Sequence, residues 1–396
     1  MQMSRLRPNR AVVAVMLFAI VALGPTAVRA AEWYVESRVQ SQVSYDTNVR
    51  LSPTDKIDTA GGMLSPEIKI GRRTEALDLS LLGHADFNGY ADPSSLSSID
   101  EKLSFAGSYA TELGKFGLDT DFNRDTTLTT EVSDTGNLTE AARVTTVDVM
   151  PSWSYALSEV DTLDLSAGYT NTSYDTDTLT DYVFYTGQVG WSRRMSEIDT
   201  LHTAAYTGRF VADDSADTTA DIIGLLVGWS RQFSEQFSAQ LDAGPEYVIT
   251  KFDDIGGRET DHHLGYRIDG MLGYQMDELT RLELSGSRKT EPSGSGETLT
   301  RNRVQVAVIH QVSPLFTLRL DGTVIQNEGA GNSSSSVDRL YYAIQPRAIW
   351  RLDPDWDLAA SYRFRSQDFD DNRDTAFSHA AFLTLTYRLP RWSWTD

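Results

Sequence analysis

Nine cations in the later part of the chain, Arg267, Arg281, Lys289, Arg303, Arg319, Arg347, Arg351, Arg363 and Arg365, fall on the polar side of runs in which apolar and polar residues alternate. Six aspartates, Asp78, Asp86, Asp119, Asp121, Asp148 and Asp164, take the same position in the earlier runs. A guanidinium holds its charge at any physiological pH and offers a rigid fork of donors that matches carboxylate or sulfate. A row of them along a pore suits anionic solutes, and aspartates opposite would make the facing wall acidic. The same arginines could instead pair with Asp269, Glu283 and Asp321 and brace the wall, and the sequence leaves both roles open. Tyr182, Phe184 and Tyr341 on the same side could stack on sugars or simply pack.

Other chemistry is thinly represented. The sequence has no nucleophile-elbow Gly-x-Ser-x-Gly, no His-Glu-x-x-His and no phosphate-cradling glycine loop, so an enzyme is not expected. His262 and His263 are adjacent, and on a strand they would point to opposite faces. Acids cluster at Asp55 and Asp58, Asp175 and Asp177, Asp213, Asp214 and Asp217, Asp253 and Asp254, and Asp368, Asp370, Asp371 and Asp374. Hard oxygen ligands suit calcium or magnesium, but the spacing lacks the glycine and bidentate glutamate of an EF-hand loop. These segments read as solvated loops, and no metal or other cofactor is expected.

The 396 residues contain 35 basic and 56 acidic side chains and no cysteine. Disulfides, thiolate nucleophiles and cysteine-ligated metals are therefore excluded. The formal charge of -21 argues against nucleic acid as a partner, because that binding rests on neutralising phosphates. Arg5, Arg7 and Arg10 precede an apolar run from Ala11 to about Leu23, and Val28-Arg29-Ala30 offers a cleavage site before Ala31. This is the pattern of a secretory signal over residues 1–30, too short and too abruptly ended by Gly24-Pro25 for a spanning helix. Its removal would take four arginines and no acids, deepening the charge to -25.

The remainder alternates with period two. Leu77, Leu79, Leu81, Ala85 and Phe87 oppose Asp78, Ser80, His84, Asp86 and Asn88; Leu163, Leu165, Ala167 and Tyr169 oppose Asp164, Ser166 and Thr170. Eight tight connections, at about residues 73, 113, 158, 196, 234, 277, 313 and 354, alternate with nine longer ones at 51–61, 91–98, 129–140, 175–181, 212–218, 252–261, 290–298, 328–337 and 369–375. Together they join eighteen strands of roughly twelve to sixteen residues, longer than a soluble sandwich needs. The expectation is an all-β fold: one antiparallel transmembrane barrel over residues 31–396, of about eighteen strands (range 16–18), with short periplasmic turns and long extracellular loops. Trp153, Trp191, Trp229, Trp350 and Trp356 sit beside tight turns, as an interfacial girdle would. Tyr45, Phe87, Tyr90, Tyr169, Tyr174, Tyr247 and Phe364 lie toward the long loops, as a second girdle would.

The start of the mature chain, Val43-Ser44-Tyr45-Asp46-Thr47-Asn48-Val49-Arg50-Leu51-Ser52, followed by Ser65-Pro66-Glu67-Ile68 and Leu77-Asp78-Leu79, resembles the outer-membrane β-barrel porins of the BBP2 type over about residues 40–110. The resemblance implies an outer-membrane location in a Gram-negative cell and an association with exopolysaccharide biosynthesis and export. Partners would be lipopolysaccharide, the barrel assembly machinery and periplasmic polysaccharide export components. Such barrels commonly end on an aromatic residue, whereas this chain continues past Tyr387 through Trp392 and Trp394. The functional expectation is a conduit for exopolysaccharide or anionic solutes. The alternative is a surface structural or adhesion barrel whose acidic loops bind a partner or divalent cations.

Overall fold

The computed structural model describes residues 31–130, 142–254, 257–329, 338–369 and 375–395; the expected signal segment and parts of four expected loops lie outside them. The strands are β1 Glu32–Asp46, β2 Thr59–Arg73, β3 Leu77–Tyr90, β4 Ser98–Ala110, β5 Gly114–Thr126, β6 Arg143–Ala156, β7 Asp161–Tyr174, β8 Tyr182–Arg194 and β9 Asp199–Ala212. There follow β10 Thr219–Gln232, β11 Phe237–Asp254, β12 Gly257–Gln275, β13 Thr280–Pro292, β14 Thr298–Ser313, β15 Phe316–Gly329, β16 Arg339–Arg351, β17 Trp356–Phe369 and β18 Ala376–Arg388. A four-residue β19, Trp392–Thr395, completes the order.

Each strand pairs antiparallel with its chain neighbours, and β1 pairs with both β2 and β18, closing an eighteen-stranded barrel. Closure pairs each strand on both sides through the middle of the wall, as a barrel needs wherever lipid replaces water, while β12 and β13 pair only over Ile268–Gln275 and Arg281–Arg288 and part toward the long-loop end. β19 continues β18 beyond Leu389-Pro390-Arg391 and pairs with Glu32–Val35, so Trp394 stacks on Trp33 at 6.1 Å and 5°. Tyr387 stacks on Trp356 at 4.5 Å.

The tight turns share a local grammar. In Leu157-Ser158-Glu159-Val160-Asp161 the Ser158 hydroxyl accepts the backbone N–H of Val160 and of Asp161, and Ser196 and Ser234 play the same part in their turns. Asp277 substitutes a carboxylate for the hydroxyl: it accepts the Leu279 N–H at 2.8 Å and the Thr280 hydroxyl at 3.1 Å. These bonds hold its pKa below the ordinary carboxylate value, the Leu279 N–H contributing most. A depressed folded-state pKa stabilises above the unfolded value and fades as pH falls through the folded one. Asp277→Asn should therefore lower the thermal midpoint at neutral pH, and the gap to the parent should close in acid. A gap that persists in acid would show that charge plays no part in the turn.

The segment 252–261, read as a long loop, is instead the end of a hairpin. β11 and β12 run on in register through Phe252↔Glu259, Asp253↔Arg258 and Asp254↔Gly257. Above an apolar band the strands need only backbone pairing, so side-chain alternation ceases to mark them. Gly257, the first residue of β12, has φ of +118, a conformation L side chains rarely adopt.

Three other long loops differ from the solvated surface the composition suggests. Val49 and Leu51 from the β1–β2 loop, Leu96 from β3–β4 and Leu128 from β5–β6 form one buried cluster with Ile325, Tyr341 and Ala376. Leu51 has no exposed surface and Leu96 only 2%. Loops from the β1–β6 side thus reach wall residues of β15, β16 and β18. This identifies the face bearing Ile325 and Tyr341 as the interior.

Candidate functional site

With the inward face identified, the registers place each candidate. Residues directly opposite on paired strands share a face, so Arg319 and Arg347 lie side by side inward, as do Asp121 and Asp148. The same counting puts all nine cations inward on β12–β17 and all six aspartates inward on β3–β7. Trp153, Trp191, Trp229, Trp350 and Trp356 fall on the outward face near the short turns. Tyr45, Phe87, Tyr169, Tyr247 and Phe364 face outward at the other end, but Tyr90 and Tyr174 do not belong with them. Tyr90 faces inward against the loop cluster, and Tyr174 shares the inward face with Val144. Distance along the strand suggested the girdle; parity decides the face. His262 lies outward against Tyr247, and His263 inward opposite Val248.

Most of the basic wall is internally compensated. Arg267 reaches Asp269 at 2.7 Å, Arg281 reaches Glu283 at 2.8 Å, and Arg319 grips Asp321 through two nitrogens at 2.7 to 2.9 Å. The partners are two residues apart on one strand, hence on one face. Lys289 and Arg301 share Glu291 at 2.5 and 2.9 Å, and Arg351 lies 3.9 Å from Asp357, which also binds Arg388. Among the described residues no carboxylate lies within 4 Å of Arg303 or Arg347. The wall therefore presents ion pairs with two free cations set among them. A cavity of about 660 Å³ lies along this side, lined in part by Gln240, Arg281, Glu283, Gln305, Arg319 and Asp321.

The acidic wall is held by neutral donors and basic groups together, with Lys102 at 3.9 Å from Asp121. Thr170 donates to Asp148 at 2.6 Å and Ser104 to Asp121 at 2.5 Å. Asp78 pairs with Arg73 at 2.9 Å, and His84 lies between Asp86 at 3.0 Å and Glu67 at 3.5 Å. Asp119 and Asp164 line a cavity of about 510 Å³ with Lys69 and Lys115.

At the long-loop mouth the controlling residue is one the sequence pattern did not single out. Asp46, 6% exposed, accepts Arg365 at 2.9 Å, Arg363 at 3.3 Å, the Ser378 hydroxyl at 2.6 Å and the Asn48 backbone N–H at 2.9 Å. Gln367 donates to the Leu51 carbonyl at 2.6 Å, and Asn48 donates to the carbonyls of Ser52 and Phe377 at 2.7 and 3.1 Å. The β1–β2 loop is thereby fastened to β17 and β18. A cavity of about 240 Å³ below it is lined in part by Gln42, Tyr90, Arg363, Arg365 and Phe382. The Asn48 N–H bonded to Asp46 is a local Asx-type turn, a signal a short sequence window could carry, but the partners of Asp46 and of the Leu51 carbonyl lie more than 300 positions away. Among the described residues no group of three or more metal-ligating side chains converges.

A closed wall, an outward face rich in exposed apolar side chains and an inward face of opposed charges define a porin-like β-barrel. Solved structures of similar fold include OccAB3 of Acinetobacter baumannii, at 10% identity over 91% of this chain and 99% of that one, with a TM-score of 0.48. The outer membrane protein opdK of Pseudomonas aeruginosa is 11% identical over 91% and 99%, with a TM-score of 0.45. OccK2 (OpdF) of the same organism, in complex with glucuronate, is 10% identical over 90% and 98%, also at 0.45. The likeness extends to overall fold and no further. No protein-family model matches the chain, nor does any curated protein sequence.

Proposed function

We propose that this chain is an outer-membrane conduit for small anionic solutes. The observation that carries the reading is the pair of inward cations with no carboxylate within 4 Å among the described residues, Arg303 and Arg347, in a basic wall facing the acidic residues of β3–β7. A passing anion meets guanidiniums free to bind it without first breaking an ion pair. The membrane location is supported by the outward band, where Val43, Leu225, Val227, Leu264 and Leu383 are about half exposed or more. A soluble protein rarely leaves so continuous an apolar surface uncovered.

The reading favours small anions over exopolysaccharide. Loops anchored through Asp46 and packed around Leu51 occupy the mouth, leaving a polymer less room than a single acid. Planar-bilayer recordings in a salt gradient provide the test: the expected result is discrete conductance with a reversal potential on the anion side. Cation preference would sink the anion reading. Silence from correctly folded, inserted protein would favour a surface structural barrel with a blocked lumen.

A further inference from the structure

We propose that the outward rim of β9, β10 and β11 binds the phosphate of an outer-leaflet lipid, an inference that rests on the membrane location proposed above. Arg209, Asp221 and Lys251 project outward from three neighbouring strands at the long-loop end. Arg209 lies 3.5 Å from one Asp221 oxygen and Lys251 3.9 Å from the other. One carboxylate holds both cations in place but cancels only one of them. No second carboxylate lies within 4 Å of either among the described residues, and their side chains remain 59% and 40% exposed.

The surroundings are those of a lipid boundary. Directly below Asp221 on the same face of β10 come Ile223, Leu225 and Val227, exposed by 56%, 58% and 61%. Tyr185 stands opposite Arg209 on β8. Tyr247, four residues below Lys251, stacks on His262 and hydrogen-bonds it at 3.0 Å. Amphipathic rings of this kind sit at the headgroup level. A phosphate between Arg209 and Lys251 would place acyl chains along the β10 stripe. Charge above and continuous apolar surface below select an anionic amphiphile over a free anion, which would use only the upper half.

The test uses the full-length barrel, floated with lipid vesicles and then examined by native mass spectrometry with bisphosphorylated lipid A or its dephosphorylated form. The parent should retain the phosphorylated lipid about tenfold better. That preference should vanish in the Arg209→Gln, Lys251→Gln double variant and strengthen in Asp221→Asn, which frees both cations. Equal retention of the two lipids by the parent, or an unchanged preference in the double variant, would overturn the proposal. So would displacement of the lipid by millimolar inorganic phosphate as effectively as by phosphorylated lipid, which would mark a simple anion site. Failure to float with vesicles would refute the membrane location itself, whereas floating without discrimination refutes only this site.

Discussion

Replacing Arg365 with alanine should release the β1–β2 loop from the barrel mouth and raise conductance severalfold. Arg365 and Asp46 are 6% exposed each, and removing one partner of such a buried pair costs about 3–5 kcal/mol because the remaining charge stays buried without its counterpart. At about 1.4 kcal/mol per factor of ten, that changes the docked-to-undocked ratio by roughly a hundredfold or more. Arg363 at 3.3 Å from the same carboxylate offers partial replacement, so the Arg363→Ala, Arg365→Ala double variant should go further than the single one. Because the chain has no cysteine, Leu51→Cys provides a clean probe. Its thiol should be protected in the parent background and labelled rapidly once Arg365 is gone. Equal labelling rates in both backgrounds would show that this ion pair does not hold the loop.

The second large effect concerns the sign of selectivity. Arg347→Gln and Arg303→Gln should each reduce the anion preference, and the double variant should abolish it. An uncompensated charge about 4 Å from a permeating ion contributes about 1–4 kcal/mol between the limits of bulk water and a protein surface, so the permeability ratio should fall roughly fivefold or more. Asp321→Asn is the counter-experiment: it frees the Arg319 fork that Asp321 now occupies and should move selectivity the opposite way. The contrast should shrink in molar salt, where the screening length falls to about 3 Å. Variants that shift selectivity in the same direction, or not at all, would show that the interior charges only brace the wall.

Bracing does account for much of the wall. Arg267 with Asp269, Arg281 with Glu283 and Arg319 with Asp321 occupy one strand face at a spacing of two, which is visible in the sequence as Arg-x-acid. That spacing makes each pair possible. Whether an arginine closes on its neighbour or stays open to solute depends on what else its face meets. Arg347 has Gln345 and Ile349 at that spacing and remains open.

What the amino-acid sequence by itself determined is everything a local rule governs. Period-two alternation marks strands whose faces meet different media, and Ser158, Ser196, Ser234 and Asp277 mark turns that satisfy their own backbone. From these follow the barrel class, the strand count and the inward parity of the charged candidates. The limits of local rules show at 252–261, where backbone pairing continues after alternation stops, and at Tyr90, whose girdle-like depth hides an inward face. Only the tertiary structure decided the mouth. Asp46 meets Arg365 across 319 residues, and Leu51 meets Ile325 and Tyr341 only because β1 closes against β18 and brings the ends of the chain together. A side chain's parity is written in its neighbours two residues away; its partner across a closed barrel is set by how the whole sheet curves, and no short window of sequence contains that.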